Sequence, residues 1–399
     1  MKNNKRILIV AECFFPEEFK INDVALSWKN KGYDVDVLTS VPTYPLGRVF
    51  DGYKNKFFYK DCYKGIDIYR VWAITGYRNS LFKKLLRYIG FMIMGSVVSL
   101  TIGKKYDYIL GFNTGSLTSM VPAVLASKAY KIPFTLWIQD VWPDSVYAYG
   151  FKKGGVLSFF LEKFVKKVYR GATSITMSGQ GFGRKIRPYV KSGMPLHYLP
   201  NWPDDLDMNV EAYHFNNSQR LNFTFAGNIG RIQNLENIIH AFSSLPDKYL
   251  ERAQLNIIGD GSYLERLKST TNCKNVVFHG KKPRSDMGKY YKGSDFLIVS
   301  LVDSPIFSVT VPAKTQTYIA TKKPILAIIN GDTADIVKNY NLGFCAEPNN
   351  INKIREIFIE SINTSDHKLL EFSENSEFLL TNIFNKKKVI DSLESVMVN

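Results

Sequence analysis

A chain of 399 residues with 45% hydrophobic and 22% charged side chains is long enough for two domains, and its composition excludes an intrinsically disordered protein. The charge is uneven: residues 1–200 hold 30 Lys+Arg against 13 Asp+Glu, so essentially all of the net charge of +16 lies in the first half. This asymmetry indicates an anionic partner, which could be a membrane, a phosphate-bearing substrate or nucleic acid. The four cysteines and five histidines show no metal-ligand spacing, which predicts no metal site and a reducing cytoplasm.

In chain order, the first half predicts a parallel sheet with crossover helices. Its strands are predicted at 7–11, 34–40, 66–72, 106–112, 133–140, 173–178 and 195–201. Several of these runs are apolar throughout, which is typical of strands buried on both faces. The first run is too short for a secretory signal, and the uncharged stretch 88–103 is shorter than the roughly 20 residues of a spanning helix.

A polar, turn-rich segment follows residue 201, and then the alternation of strands and helices restarts. The strands of the second half are predicted at 221–228, 255–261, 275–280, 295–301, 324–329 and 343–347, with helix from 352 onward. The chain therefore predicts an α/β protein of two doubly wound domains, 1–202 and 203–383. Ligands of such sheets bind outside the carboxyl ends of the strands.

Three glycine-containing loops follow predicted strands of the second domain. FAGNIGRIQN contains Gly227 and Gly230 before a helix whose N-terminus suits a phosphate, although such a loop can also be a plain turn. IIGDG, with Gly259 and Asp260, and HGKKP, with His279, are the other two. Because parallel strands end at one edge of a sheet, we expect the three loops to lie together.

Two features of the first domain carry chemistry. In WIQDVWPDS, Asp140 follows a buried strand and is predicted to be functional, whereas Asp144 is predicted to cap a helix. Lys83, Lys84 and Arg87 begin a basic, then apolar segment that predicts contact with an anionic membrane surface. A buried helix with a solvated basic end is the alternative. Nucleic acid is not predicted, since no recognition motif accompanies the charge.

The chain resembles the family 4 retaining glycosyltransferases of the GT-B fold, in which two Rossmann-like domains face a cleft. Within that family it is most similar to bacterial O-antigen and capsule N-acetyl-L-fucosaminyltransferases. The matching stretches, in order, are FFPEEFKINDVALSWKNKGYDVDVLTSVPTYPLG, WIQDVWPDS, YLPNW, FAGNIGRIQN, IIGDG, VVFHGKKPRSDMGKYYKGSDFLIVSL and VPAKTQTYIATKKPIL.

The resemblance implies that the second domain binds a UDP-sugar and that the first binds a polyprenyl-diphosphate-linked saccharide. It implies transfer of N-acetyl-L-fucosamine or a related N-acetylated deoxy-sugar with retention, without a metal or other cofactor. It also implies a cytoplasmic enzyme peripheral to the inner face of the plasma membrane, with a last helix, about 384–399, that packs back on the first domain. A sugar-nucleotide 2-epimerase and a non-catalytic membrane-binding protein remain alternatives, and the oligomeric state stays open.

This sequence departs from the family at the donor site. Asn228 and Gln233 stand where many relatives have Arg and Lys, and Val309 and Thr317 stand where they have two Glu. We expect Arg231 and Lys314 to hold the diphosphate instead, with Gln316 or Thr317 replacing the Glu contacts. The remaining predicted donor-binding residues are Gly227, Asn228, Gln233, Asn234, Gly259, Asp260 and His279.

The first domain departs as well. Its first loop reads PEEFKIND instead of carrying a glycine pair, so Lys20 and Asn22 are the expected acceptor contacts, together with Trp142. The His-Asp pair of some relatives is Gln139-Asp140 here, which leaves Asp140 as the catalytic candidate. Transfer with retention needs mainly stabilisation of the leaving diphosphate and orientation of the acceptor hydroxyl.

Overall fold

The computed structural model describes residues 5–77, 80–148, 150–215 and 219–398. These residues form two compact units, one containing the chain up to Leu199 together with the residues from Ile390 onward, and the other Pro200–Val389. The sequence had placed the boundary at 202/203 and the final helix from about 384. Each unit is a doubly wound α/β domain, as predicted.

The first unit contains an eight-stranded sheet. Its strands are β1 (Arg6–Ala11), β2 (Asp34–Ser40), β3 (Phe58–Tyr63), β4 (Ile66–Val71), β5 (Tyr108–Asn113), β6 (Phe134–Ile138), β7 (Ser174–Met177) and β8 (Leu196–Tyr198). Their order in the sheet is β3-β4-β2-β1-β5-β6-β7-β8, parallel except for β3, which is antiparallel to β4. The central strand β1 is buried from Ile7 to Ala11, as its unbroken apolar run predicts.

Strand β3 was not predicted, because FYKDCY is half polar and alternates between exposed and partly buried positions at the sheet edge. It is tied to the sheet by Arg70 of β4, whose side chain is fully buried and pairs with Asp61 at 2.8 Å. The same guanidinium donates to the Phe15 carbonyl at 2.6 Å. A buried ion pair therefore fixes an edge that hydrophobic periodicity could not reveal.

The helices of the first unit are α1 (Lys20–Asn30), α2 (Leu81–Ile102), α3 (Val121–Tyr130), α4 (Asp144–Ala148), α5 (Val156–Tyr169) and α6 (Phe182–Ile186). Right-handed crossovers put α2, α3 and α5 on one face of the sheet and α1 on the other. Helix α2 packs on α3, where the Ser99 hydroxyl donates to the Pro122 carbonyl at 3.0 Å.

Helix α2 is longer than the uncharged stretch had indicated. By length and composition alone the segment Phe82–Lys105, with a mean hydropathy of 1.7, could cross a membrane, and core helices of soluble proteins pass the same test. Its packing on α3 makes it part of the helical layer that covers the sheet.

The second unit contains a six-stranded parallel sheet. Its strands are β9 (Leu221–Ala226), β10 (Ala253–Ile258), β11 (Val276–Gly280), β12 (Phe296–Ser300), β13 (Ile325–Ile328) and β14 (Gly343–Ala346), in the order β11-β10-β9-β12-β13-β14. The helices between them are α7 (Leu235–Ser243), α8 (Asp247–Leu250), α9 (Leu264–Thr270), α10 (Met287–Lys292), α11 (Ala313–Thr321) and α12 (Asp332–Asn339). Apolar side chains of α7 and of the helix after β14 pack on one face around Phe223 and Phe358.

Three helices end the chain: α13 (Ile351–Ile362), α14 (Asp366–Asn382) and α15 (Lys386–Val398). The last part of α15 packs on the first unit through its acidic side chains. Lys31 pairs with Asp391 at 2.5 Å and also with Glu394, while the Tyr33 hydroxyl donates to Glu394 at 2.7 Å. These contacts explain why residues from Ile390 onward group with the first unit.

Candidate functional site

The second unit has a topological switch point beside its first strand. The chain runs from β9 to β10 and β11 on one side and then crosses to β12, β13 and β14 on the other. Loops leaving β9 and β12 therefore diverge at the carboxyl edge of the sheet, where ligands of open α/β sheets bind. The loop 227–234 follows β9 at this edge, and its Ile232 carbonyl accepts from the Val302 N–H at 2.9 Å.

The three glycine-containing loops are joined at that edge, as the sequence predicted. The Gly227 N–H donates to Ile258 at 2.9 Å, the Ile229 N–H donates to Asp260 at 2.9 Å, and the Gly259 N–H donates to Gly280 at 3.0 Å. Gly259 has φ +145°, and a Cβ there would lie 1.8 Å from the Gly227 carbonyl oxygen. Only glycine allows the loops to approach this closely.

Lys314 is the charged group at the centre of this edge. Its Nζ lies 3.9 Å from the centroid of the Phe225 ring, and a Cβ added to Gly227 would stand 3.0 Å from the same atom. Among the described residues no carboxylate lies within ion-pair distance of it, and burial lowers the pKa of Lys314 to about 7. Lys314 is half-buried, and an enclosed amine without a counter-ion among the described residues at a switch point is suited to an anionic ligand.

Helix α11 directs further polar groups to the same region. Its N-terminal residue is preceded by Pro312, which offers no side-chain cap to the first N–H groups. The hydroxyls of Thr315 and of Ser300, at the end of β12, are buried and have no hydrogen-bond partner among the described residues. The partial positive charge of a helix N-terminus adds to the attraction for an anion that Lys314 provides.

Four predicted donor contacts have structural partners instead. The Gln233 carboxamide oxygen accepts from the Gly230 N–H at 2.9 Å, and the Asn234 amide donates to the Pro348 carbonyl at 2.7 Å. The Thr317 hydroxyl donates to Ala313 at 3.2 Å, and Gln316 is buried with its amide beside the same helical turn, 3.1 Å from two carbonyls. These contacts hold the loop and the helix, and the expected donor contacts of the same four side chains stay predictions.

His279 is also part of the framework. Its Nε2 lies 2.9 Å from the Asn256 side-chain oxygen, and the Asn256 amide nitrogen donates to the Asn222 side-chain oxygen at 3.1 Å across the sheet. Burial lowers the pKa of His279, with Lys282 adding to the effect. Its ring packs edge-on against Tyr213 and Phe215. The imidazole is thus part of a cross-strand polar network, and its donor contact stays a prediction.

The remaining predicted donor residues line the surface of the edge. Gly227, Asn228, Arg231 and Asp260 are exposed, and Gly259 is half-buried. The Asp260 carboxylate accepts from the Gly261 N–H at 2.8 Å, which shapes its loop. The structure thus brings Lys314 to Gly227 and leaves Arg231 on the exposed turn that follows.

In the first unit, Asp140 follows β6 at the carboxyl edge of the sheet. It is half-buried, and desolvation raises its pKa to about 6. Asp144, the predicted helix cap, is the first residue of α4 and pairs with Lys185 at 3.2 Å. Trp142 is positioned through its backbone, whose N–H donates to the Tyr169 hydroxyl at 3.2 Å.

Of the predicted acceptor contacts, Lys20 and Asn22 lie in the first turn of α1. The Asn22 amide donates to the Glu17 carbonyl at 2.7 Å and so braces the loop after β1. The Glu17 carboxylate accepts from the backbone N–H groups of Thr43 and Tyr44 at 2.9 and 2.6 Å, joining that loop to the loop after β2. Asn22 is thus at least partly structural, and Lys20 is half-buried at the helix start.

Arg87 is not a membrane contact, contrary to the sequence-based expectation. It is 7% exposed and pairs with the equally buried Glu12 at 3.0 Å. Its guanidinium lies 4.5 Å from the Tyr77 ring centroid and 3.5 Å from the Cys13 sulfur. One turn earlier, Lys83 is exposed and Lys84 is half-buried. Hydrophobic periodicity gave no signal for this buried pair, because Glu12 and Arg87 are 75 residues apart in the chain.

Comparison with known proteins agrees with this geometry. Residues 211–377 match the family model of the group 1 glycosyl transferases. The chain is 23% identical to a probable glycosyltransferase, WbjE of Pseudomonas aeruginosa, over 74% of this chain and 77% of that protein. It is 23% identical to a putative colanic acid biosynthesis glycosyl transferase, WcaI of Escherichia coli K12, over 62% and 64% of the two chains.

Solved structures show the same fold. HepE of Anabaena, determined in complex with UDP and glucose, aligns with a TM-score of 0.66 at 12% identity over 98% of this chain and 99% of that chain. Sucrose-phosphate synthase of Thermosynechococcus elongatus aligns with a TM-score of 0.69 at 14% identity over 99% and 98%. The fold is that of the GT-B glycosyltransferases.

The residues that match the group 1 glycosyl transferase model, 211–377, include β9 to β14 and the edge around Lys314. The protein is an enzyme of the glycosyltransferase class.

Proposed function

We propose that the protein transfers a sugar from a UDP-sugar to a polyprenyl-diphosphate-linked saccharide during synthesis of a cell-envelope polysaccharide. The proposed sugar is N-acetyl-L-fucosamine or a related N-acetylated deoxy-sugar, transferred with retention and without a metal. The similarity to the putative colanic acid biosynthesis enzyme supports the polysaccharide setting, and the UDP complex of HepE supports the donor class.

The observation that carries the proposal is Lys314 at the switch point beside Gly227. A nucleotide diphosphate bound there would supply the counter-ion that the enclosed amine lacks among the described residues. Exposed Arg231, on the turn after the same loop, is assigned to the outer side of the diphosphate. The two cations missing from the family pattern are then replaced by one half-buried and one exposed cation.

This arrangement suggests how the reaction is driven. Negative charge develops on the diphosphate as the glycosidic bond to the sugar breaks, and a cation placed in advance stabilises that charge. Lys314 would supply this stabilisation without a metal ion. In the part of the chain that the structure describes, no cluster of His, Cys, Asp and Glu suited to a metal occurs.

On the acceptor side we assign Asp140 to the acceptor hydroxyl, which it would orient through a hydrogen bond. Its half-buried position and its raised pKa, near 6, allow it to accept a hydrogen bond or to take up a proton near neutral pH. Trp142, in the following loop, would contact the acceptor saccharide, with Lys20 near its diphosphate. Lys83 and Lys84 would face the anionic membrane that carries this lipid-linked substrate.

Thermal stability in the presence of nucleotides tests the donor assignment. We expect UDP-sugars, and UDP itself, to raise the melting temperature, because a ligand that binds only the folded state stabilises it. ADP-, GDP- and CMP-sugars serve as matched probes and should give smaller shifts. A larger shift with any of these than with UDP-sugars would contradict the UDP assignment, and no shift with any nucleotide would contradict the whole proposal.

The pH dependence of donor binding tests the role of Lys314 directly. Its pKa of about 7 in the free enzyme means that the amine loses its proton as pH rises through neutrality, whereas a bound diphosphate favours the charged form. Binding therefore takes up a proton, and affinity for UDP-glucose should fall by up to about tenfold per pH unit above pH 7. Calorimetric titration with UDP-glucose between about pH 6 and pH 8.5 measures this change in affinity.

The control is Lys314→Gln, which removes the titrating group. Its affinity should be lower but nearly constant over the same pH range. An equally steep pH dependence in the wild type and in Lys314→Gln would assign the effect to another group.

A further inference from the structure

The start of α5 exposes a cluster of large apolar side chains flanked by lysines. Among the residues preceding Val165, only Ser158 in this helix is buried, so its first turns project outside the core. We call this cluster the α5 basic-apolar surface and define it by Val156, Leu157, Phe159, Phe160, Lys152, Lys153 and Lys163.

The apolar members of this surface are 57 to 75% exposed, with Leu157 at 68% and Phe160 at 61%. The second half of the helix is anchored differently, because Val165, Val168 and Tyr169 are buried against the sheet. Stability of the fold therefore does not require large apolar residues at the first turns, where polar side chains would serve. Such a contiguous exposed cluster is typical of an interaction site.

The charge of the surface indicates the partner. Lys163 Nζ lies 4.5 Å from the centroid of the Phe159 ring, so charge and apolar area are interleaved. Between residues 145 and 170 the sequence has one acidic residue, Glu162, and that carboxylate accepts from the Tyr147 hydroxyl at 3.0 Å. Apolar side chains surrounded by lysines match the interface of an anionic bilayer, in which the rings lie among the acyl chains and the lysines among the phosphates.

Helix α2, which packs on α3, carries a second row of exposed apolar side chains on the same face of the sheet. Its outward side chains recur at helical spacing and include Phe82, Leu85, Ile93, Val97 and Leu100, each exposed. Between Asp67 and Asp107 the sequence has no acidic residue. The helical layer thus offers an anionic membrane a basic and apolar face with α5 as its most exposed part.

We infer that the first turns of α5 insert into the headgroup region of an anionic membrane and anchor the enzyme there. This inference rests on the proposed function, since it names the surface that would hold the enzyme near a lipid-linked acceptor. A second copy of the chain is disfavoured as the occupant, because a two-fold contact through this surface would bring lysines against lysines.

Vesicle co-sedimentation of the full chain tests the anchor. The variant Leu157→Asp/Phe160→Asp is compared with Leu370→Asp/Phe378→Asp on α14, whose side chains are 58% and 56% exposed. The wild type should bind vesicles of mixed phosphatidylcholine and phosphatidylglycerol and be released by salt. The α5 variant should bind at least about tenfold more weakly, and the α14 variant like the wild type.

Several results would overturn the inference: an α5 variant that binds like the wild type, a wild type that binds pure phosphatidylcholine equally well, or a wild type that binds neither. A concentration-dependent dimer abolished by the α5 substitutions would assign the surface to a second copy instead. The UDP-glucose thermal shift, measured on the same proteins, should be equal in all three. If the wild type bound vesicles but showed no thermal shift with UDP-glucose, the donor proposal would be contradicted and the membrane inference would not be affected.

Discussion

Replacing Lys314 with alanine is expected to weaken UDP-sugar binding about 100-fold, close to 3 kcal/mol, without destabilising the fold. The substitution removes the ammonium that would pair with the diphosphate, and within the described part of the chain no second cation packs on Phe225. Because charge on the leaving diphosphate grows in the transition state, kcat should fall as well, by about two to three orders of magnitude. Calorimetry with UDP-glucose and initial rates of transfer measure the two effects.

The melting temperature of the variant and a substitution at a second lysine serve as controls for this result. Burying an amine costs free energy, so Lys314→Ala should melt at the wild-type temperature or slightly above it. Lys338→Ala, at an exposed position in α12 of the same unit, should leave affinity and rate unchanged. Near-normal UDP-sugar affinity in Lys314→Ala would remove the observation on which the proposed donor site depends.

Replacing Arg87 with methionine is expected to lower the free energy of unfolding by about 3 to 5 kcal/mol. Glu12 would then remain in the core without its partner, 3.0 Å from where the guanidinium had been. Burial already raises the pKa of Glu12, and Arg87 opposes that shift. In the native state of the variant, Glu12 would therefore keep a proton that the unfolded chain releases. The variant should lose stability as pH rises above the pKa that Glu12 has in the unfolded chain. Urea unfolding at acidic and at alkaline pH measures both effects.

Arg48→Met is the matched control, because Arg48 pairs with Asp51 at 3.0 Å on the exposed surface. An exposed pair of this kind contributes up to about 1 kcal/mol. In Glu12→Gln/Arg87→Met the unpaired charge is gone, so part of the lost stability should return. If Arg87→Met were no more destabilised than Arg48→Met, the buried pair would not be the structural element that its geometry indicates.

Much of the fold could be predicted from the pattern of apolar runs. Strands such as β1 and β6 are buried on both faces, so their side chains are apolar without interruption, and that signal is local. Strand β3 escaped detection because its stability comes from Arg70 and Asp61, a pair that its own alternating sequence does not show. The length of α2 was underestimated, because a helix begins by capping and packing and not where charge ends.

The candidate site was only partly predictable. Glycine positions followed from the need for close backbone approach, which is a property of the residue itself, and Gly227 and Gly259 do meet. The framework contacts of Gln233, Asn234 and His279 were not predicted, because a polar side chain next to a loop can face either a ligand or the framework. The orientation of such a side chain depends on which carbonyl or amide of a distant segment lies beside it. For Asn234 this group is the Pro348 carbonyl.

By itself the sequence determined that the protein has two parallel α/β domains, a strongly basic first half and glycine turns at the strand ends. These features are encoded locally in residue type and spacing. Only the tertiary structure decided that Lys314 lies at Gly227 without a counter-ion among the described residues, that Arg87 is buried with Glu12, and that α5 exposes its aromatic first turns. Partners and burial depend on segments far apart in the chain, and packing alone brings these together.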